Sequence, residues 1–162
     1  MKKRIDCFIP YVEQKQAAEL SHMLEKERLV GDVIFLTNDE QPDNAPFIPL
    51  QKALSTKAVL SMARTATHDY LLLVTTAAPI KLGYRALERM AGVADSTNAL
   101  MVYSDRASVP TIDYQQGALR DDFDFGPIVL LRRSAVCQFA DSKPTAYTFG
   151  GFYQLRLFLS RQ

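Results

Sequence analysis

The run Tyr70-Leu71-Leu72-Leu73-Val74 places five apolar residues in succession and stops at Thr75-Thr76-Ala77-Ala78-Pro79. A strand with one wet face alternates apolar and polar positions. An unbroken apolar run this short, ended by a turn, is a strand covered on both faces. Ile5–Pro10, Val33–Leu36, Ala99–Tyr103 and Pro127–Leu131 read the same way. Helical patterns separate them. Glu13–Arg28 repeats Ala17, Leu20, Met23 and Leu24 at helical spacing, with Gly31 as its stop. Leu54–Ala66 carries Val59, Met62 and Ala66 on one side, and Leu82–Val93 carries Leu82, Ala86, Leu87 and Met90. A short helix near Ser134–Phe139 and another from Gly151 to Ser160, with Phe152, Leu155 and Leu159 in register, complete the chain. Gln41–Pro49 holds three prolines and reads as a loop with one edge strand at Phe47-Ile48.

This alternation predicts a single α/β domain over residues 1–162, with a mostly parallel sheet and helices on both faces. Ligands of such sheets bind beyond the C-terminal ends of the strands. The loops that share this edge are Pro10–Glu13, Thr37–Glu40, Thr75–Pro79 and Ser104–Asp105.

Composition narrows the function. The 162 residues are 48% hydrophobic with a formal net charge of +1, which excludes disorder and leaves no basic field for nucleic acid. Cys7 and Cys137 belong to no CxxC or CxxH pattern and read as reduced thiols of a cytosolic protein. Met1-Lys2-Lys3-Arg4 starts like a signal segment, but Asp6 and Pro10 interrupt it, and no window approaches the ~20 apolar residues of a spanning helix. The expected location is the cytoplasm. Neither GxGxxG nor GxxxxGK[ST] occurs.

The densest chemistry lies in Gly117–Gly126, GALRDDFDFG, where Arg120, Asp121, Asp122 and Asp124 interleave with Phe123 and Phe125. Charges this close are costly to bury unpaired. They either form a solvated acidic turn over two tucked aromatics or face a cation, a ribose hydroxyl or Arg120. His22 and His68 lie far apart in the pattern and read as structural. Arg132-Arg133 reads as a solvated strand end.

The blocks Tyr103-Ser104-Asp105, Ile112-Asp113-Tyr114-Gln115, Gly117–Gly126 and Gly151–Leu157 resemble a bacterial subgroup of the family 2 glycosyltransferases, which have the GT-A fold, a Rossmann-like nucleotide-diphospho-sugar transferase architecture. The resemblance runs over essentially the whole chain. It implies transfer of a sugar from a nucleotide-diphospho-sugar to a sugar or lipid-linked acceptor, in bacterial surface polysaccharide synthesis. Peripheral membrane association is compatible with that role. It also implies that Pro10 and Tyr11, with Asn38 and Asp39, hold the nucleoside, and that Thr75, Thr76 and Asp105 contact the rest of the donor.

Two departures stand out. Where the family has Asp-x-Asp for a divalent cation, this chain has Thr75-Thr76-Ala77, and hydroxyls are poor Mg²⁺ or Mn²⁺ ligands without a carboxylate. Asp105 and the Asp121, Asp122 and Asp124 cluster are the acidic groups placed to substitute, with Asp105 and Asp122 the expected metal ligands. Where the family opens a late helix with Glu-Asp as base, this chain has Gly151-Phe152, with Gln154 further on, and Gln takes no proton. The catalytic base is therefore open, and a catalytically silent sugar-nucleotide-binding module is the alternative. The family usually continues past this helix, so the resemblance implies a domain cut short on its acceptor side.

Overall fold

A computed structural model describes residues 2–38, 42, 45–50, 52, 54–107 and 109–162. The chain order is β1 (Ile5–Tyr11), α1 (Gln14–Glu25), β2 (Val30–Thr37), β3 (Phe47–Pro49), α2 (Thr56–Thr65), β4 (Tyr70–Val74), α3 (Ala86–Thr97), β5 (Met101–Tyr103), β6 (Ile128–Arg132), α4 (Arg133–Asp141) and α5 (Gly151–Leu159). The six strands form one sheet in the order β3-β2-β1-β4-β6-β5. β1, β2, β3 and β4 are mutually parallel, whereas β6 runs antiparallel to both β4 and β5. The expected α/β sheet is present, with β6 reversed inside it.

Alternate residues of each strand enter opposite cores, as the period of two demands. Ile5, Cys7, Ile9, Leu72, Val74 and Leu130 pack with Ala17 and Leu24 of α1 and Leu87, Met90 and Ala94 of α3. Phe8, Leu71, Leu73, Val129 and Leu131 pack with Val59 and Met62 of α2, Val136 and Phe139 of α4, and Phe152 and Leu155 of α5. The sheet is thus the middle of three layers, and Tyr70–Val74 is buried at every position. Burial raises the Cys7 thiol far above its usual range, and both cysteines are free.

Several boundaries differ from the sequence expectation, and two of them have a clear local cause. The first helix ends at Glu25, and Gly31 lies within β2 rather than stopping a helix. Its missing side chain answers a contact: a Cβ there would sit 2.3 Å from His68 Cε1. The third helix begins at Ala86 rather than Leu82. Arg85 adopts a left-handed conformation with φ 50°, which a helix cannot pass through, and Leu82 packs on the core from the preceding loop. Arg132 and Arg133 are also not a solvated strand end. Arg132 donates to the carbonyls of Ala94 (2.7 Å) and Ala99, and Arg133 donates to that of Ala66 (2.7 Å), so both satisfy carbonyls at helix C-termini.

Candidate functional site

The parallel strands bring their C-terminal ends to one edge. Tyr11 pairs with Thr37 and Pro10 with Leu36, so Pro10, Tyr11 and Asn38 lie together at the ends of β1 and β2. The Tyr11 ring packs edge-on against Phe35 with centroids 5.4 Å apart. Asp39 lies outside the described residues. Because β6 is reversed, its start meets the ends of its neighbours: Val74 pairs with Ile128, and Tyr103 with Val129. Thr75 fastens this meeting point, its amide donating to Pro127 O (2.9 Å) and its hydroxyl to Gly126 O (3.0 Å).

Three cavities follow one another along the edge. The first, about 300 Å³, lies between Pro10, Glu13 and Gln16 on one side and residues 76–81 on the other. The second, about 420 Å³, is bordered by Thr75, Thr76, Arg106, Asp124 and Gly126. The third, about 560 Å³, is bordered by Arg106, Ile112, Arg120, Asp122, Phe123 and Asp124. Thr76, Pro79 and Ile80 border the first and second, and Arg106 and Asp124 border the second and third.

The acidic stretch reaches this edge through Asp124. Its Oδ1 accepts from the Gly126 amide (2.7 Å), and its Oδ2 pairs with Arg106. The alternation of Asp with Phe explains the placement. Phe125 is buried and packs on Phe123 (4.5 Å) and edge-on against Tyr103 (4.9 Å), while the carboxylates point to water.

Asp105 and Asp122 are committed separately. The amide (2.7 Å) and hydroxyl of Thr111 both donate to Asp105 Oδ1, and these bonds hold its carboxyl below the usual range. Asp122 forms a two-point pair with Arg120, Nε to Oδ1 at 2.9 Å, which lowers the Asp122 carboxyl and raises the Arg120 guanidinium. Asp122 borders the third cavity, whereas Asp105 borders none of the three. Among the described residues, the group of three side chains able to hold one metal ion is Asp6, Asp32 and His68, at the opposite end of the sheet. The described residues at the strand-end edge therefore do not assemble a ready three-ligand cation site.

The opening of α5 cannot carry an acid at Gly151, because a Cβ there would lie 1.9 Å from Thr56 N. Gln154 Oε1 accepts from the Thr56 hydroxyl at 3.3 Å. The same helix supplies Arg156, which is 7% exposed. Its Nη1 donates to Phe123 O (2.9 Å) and its Nη2 to Asp121 O (3.0 Å), so one guanidinium clips the acidic stretch to α5. The rings of Phe125, Phe152 and Tyr153 surround it at 5.1–5.6 Å. Burial pulls this guanidinium below its ordinary value.

Solved structures share this backbone architecture over most of the chain. CMP:2-keto-3-deoxy-manno-octonic acid synthetase in complex with CTP aligns over 98% of this chain and 86% of its own, with 14% identity and a TM-score of 0.59. S. aureus TarS 1–349 aligns over 96% of this chain and 54% of its own, with 11% identity and a TM-score of 0.62. Glucosyl-3-phosphoglycerate synthase from Mycobacterium tuberculosis, in complex with Mn²⁺, UDP and glucosyl-3-phosphoglycerate, aligns over 82% and 58%, with 14% identity and a TM-score of 0.56.

The fold is GT-A.

At these identities the GT-A likeness concerns backbone architecture alone, and the chain spans little more than half the length of the second and third of these proteins. No protein-family model and no curated sequence matches the chain. No helix among the described residues is long and apolar enough to cross a membrane. Within the GT-A frame, sequence reasoning missed Arg106 and the clip made by Arg156, and it counted Asp124 only together with its acidic neighbours. Arg156 had a signal: it is the lone cation in the apolar stretch GFYQLRLFL, where an unpaired charge has no business. Arg106 had none beyond its place after Asp105.

Proposed function

We propose that this chain is a glycosyltransferase domain whose donor, a nucleotide-diphospho-sugar, lies along the first two cavities and whose acceptor enters the third. The observation that carries this reading is the position of Asp124, a carboxylate bordering the second and third cavities at once. Pro10, Tyr11 and Asn38 serve the nucleoside, in keeping with their place at the ends of β1 and β2, and Asp39 joins them in this reading. Thr75 and Thr76 lie beside the diphosphate, and Arg106 and Lys81 offer positive charge to it. Asp105 orders the start of the long loop through Thr111.

In the transfer, the acceptor hydroxyl oxygen forms a bond to the anomeric carbon while the bond from that carbon to the diphosphate oxygen breaks. Asp124 takes the hydroxyl proton, and the nucleoside diphosphate leaves with the bonding electrons. The apolar border of the third cavity, Val109, Ile112 and Phe123, suits a sugar face or the start of a lipid chain. A divalent cation held by Asp105 and Asp122 belongs to the same family reading. Those carboxylates have separate partners here, so no step is derived through it. A surface polysaccharide as product and a cytoplasmic setting complete the proposal.

The competing reading is a silent sugar-nucleotide-binding module, favoured by the crowded Gly151 and by Gln154 at the opening of α5. Calorimetric titration with UDP-, GDP- and CMP-sugars, with and without Mn²⁺, followed by donor hydrolysis, separates the two. Binding with turnover supports the transferase, binding without turnover supports the module, and no binding overturns both.

A further inference from the structure

At the far end of the sheet from the strand-end edge, three separate features build one place. First, β1 and β2 fall out of register: Ile5 pairs with Val30 but Cys7 with Val33, so β2 carries one extra residue opposite Asp6. Such bulges re-aim side chains, and this one sets Gly31 and Asp32 against the Asp6 carboxylate. The Asp32 amide approaches Asp6 Oδ1 at 3.4 Å. Second, Gly31 leaves room for an imidazole, since a Cβ there would lie 2.3–2.9 Å from three atoms of the His68 ring. Third, Asp6 is 1% exposed, a carboxylate withdrawn from water at the start of a core strand.

Asp6 is held by the connection before β4. Its Oδ2 accepts from the amides of Thr67 (2.7 Å) and His68 (2.9 Å), and its Oδ1 accepts from His68 Nδ1 (2.6 Å). The exposed Asp32 carboxylate completes a set of one nitrogen and two oxygen ligands, all within 4.8 Å of one another. We propose that Asp6, Asp32 and His68 form a zinc site, with one imidazole, two carboxylates and a fourth position left to water.

The donor set favours zinc over magnesium. Imidazole suits Zn²⁺, whereas Mg²⁺ demands six oxygens and keeps its waters. With zinc–ligand bonds of about 2.0–2.2 Å, tetrahedral ligand atoms stand roughly 3.3–3.5 Å apart. The 2.6 Å contact therefore opens by somewhat under ~1 Å and the widest closes by somewhat over ~1 Å. As the ion takes the place of the Nδ1 proton that faces Asp6, the neutral ring carries its proton on Nε2 instead, exchanged through water. Asp6 cannot drift, because its second oxygen stays fixed by two backbone amides. Asp32 and the quarter-exposed His68 ring leave the ion a path from solvent. The ion joins β1, β2 and the turn before β4, so it would act as a staple. The site is roughly 17 Å along β1 from Tyr11, taking five residues at about 3.3 Å each.

The test uses the full chain, stripped of metal and without nucleotide. Zinc chloride is titrated by calorimetry, cobalt(II) absorption reports coordination geometry, and magnesium chloride is the comparison. One equivalent of zinc should bind, the thermal midpoint should rise with occupancy, and magnesium should leave it unmoved. Asp32→Asn, at an exposed position, and His68→Gln should each weaken zinc by about tenfold or more. Asp124→Asn should leave zinc binding intact, which keeps this result separate from that of the strand-end site. No saturable binding at micromolar zinc, or unchanged affinity in both Asp32→Asn and His68→Gln, overturns the proposal.

Discussion

Thr75 donates its hydroxyl to the carbonyl of Gly126 at 3.0 Å, which ties the end of the central strand β4 to the end of the acidic stretch. That bond sets Asp124, two residues earlier, beside the loop that follows β4. It joins two segments far apart in sequence into one wall.

If Asp124 accepts the acceptor proton, Asp124→Asn should keep donor affinity within a few-fold and lower transfer by about 10²–10⁴-fold. Donor titration and initial rates read the two effects separately. Asp122→Asn, whose carboxylate is paired with exposed Arg120 at the outer side of the third cavity, should cost far less. Equal losses in the two variants would remove Asp124 from its proposed role.

Arg156→Met should destabilise the chain by about 1–3 kcal/mol, because it leaves the carbonyls of Asp121 and Phe123 without their donor and empties the ring cage. Urea unfolding gives the value. The acidic stretch should also become sensitive to protease, with cleavage near residues 117–124 appearing before global unfolding.

Gly151→Ala should be costlier than an ordinary helix substitution. The new methyl would meet the backbone of Ser55 and Thr56 at 1.9–2.5 Å, and backbone cannot swing aside as a side chain does. A loss of about 3 kcal/mol, at the upper end for overpacking, should register as a lowered urea midpoint. Although alanine is the better helix former, a stability gain would show that α5 sits farther from α2.

Asp95 accepts two bonds from Arg4 (2.7 and 3.0 Å) and one from the Tyr70 hydroxyl (2.6 Å), and these hold its carboxyl at about 2 against an ordinary 3.8. The folded state thus binds this proton less readily than the unfolded chain. The resulting stability is present above pH 3.8 and drains away as pH falls through about 2. The pair is half-exposed, so Asp95→Asn should cost about 1 kcal/mol or less at neutral pH. Urea midpoints from pH 5 downward should show the wild-type advantage shrinking across that window.

How much of this was readable in the residues follows from what each signal depends on. Tyr70–Val74 was located to the residue because continuous burial writes itself as a continuous apolar run. The convergence of loops after β1, β2 and β4 followed from parallel pairing alone. The reversal of β6 was hidden, since hydrophobic periodicity carries no direction: Ile128–Arg132 reads the same in either sense. Gly31 was misread because a glycine that ends a helix and one that admits a neighbouring ring look alike in one dimension. Asp6 was noted only as a break in the opening apolar run for a similar reason, as its partners lie in residues 67–68 and only folding brings them near. Asp39 belongs to the nucleoside reading and awaits the binding measurement.

The reversed β6 has an evolutionary corollary. The segment joining β5 to β6 departs from and returns to the same rim, so its length is free of the sheet's geometry. Residues could be inserted there at a closure entropy that grows only with the logarithm of loop length, leaving both cores untouched. Diversity among descendants of this chain should gather in that excursion, as new acceptor preferences on an unchanged donor platform.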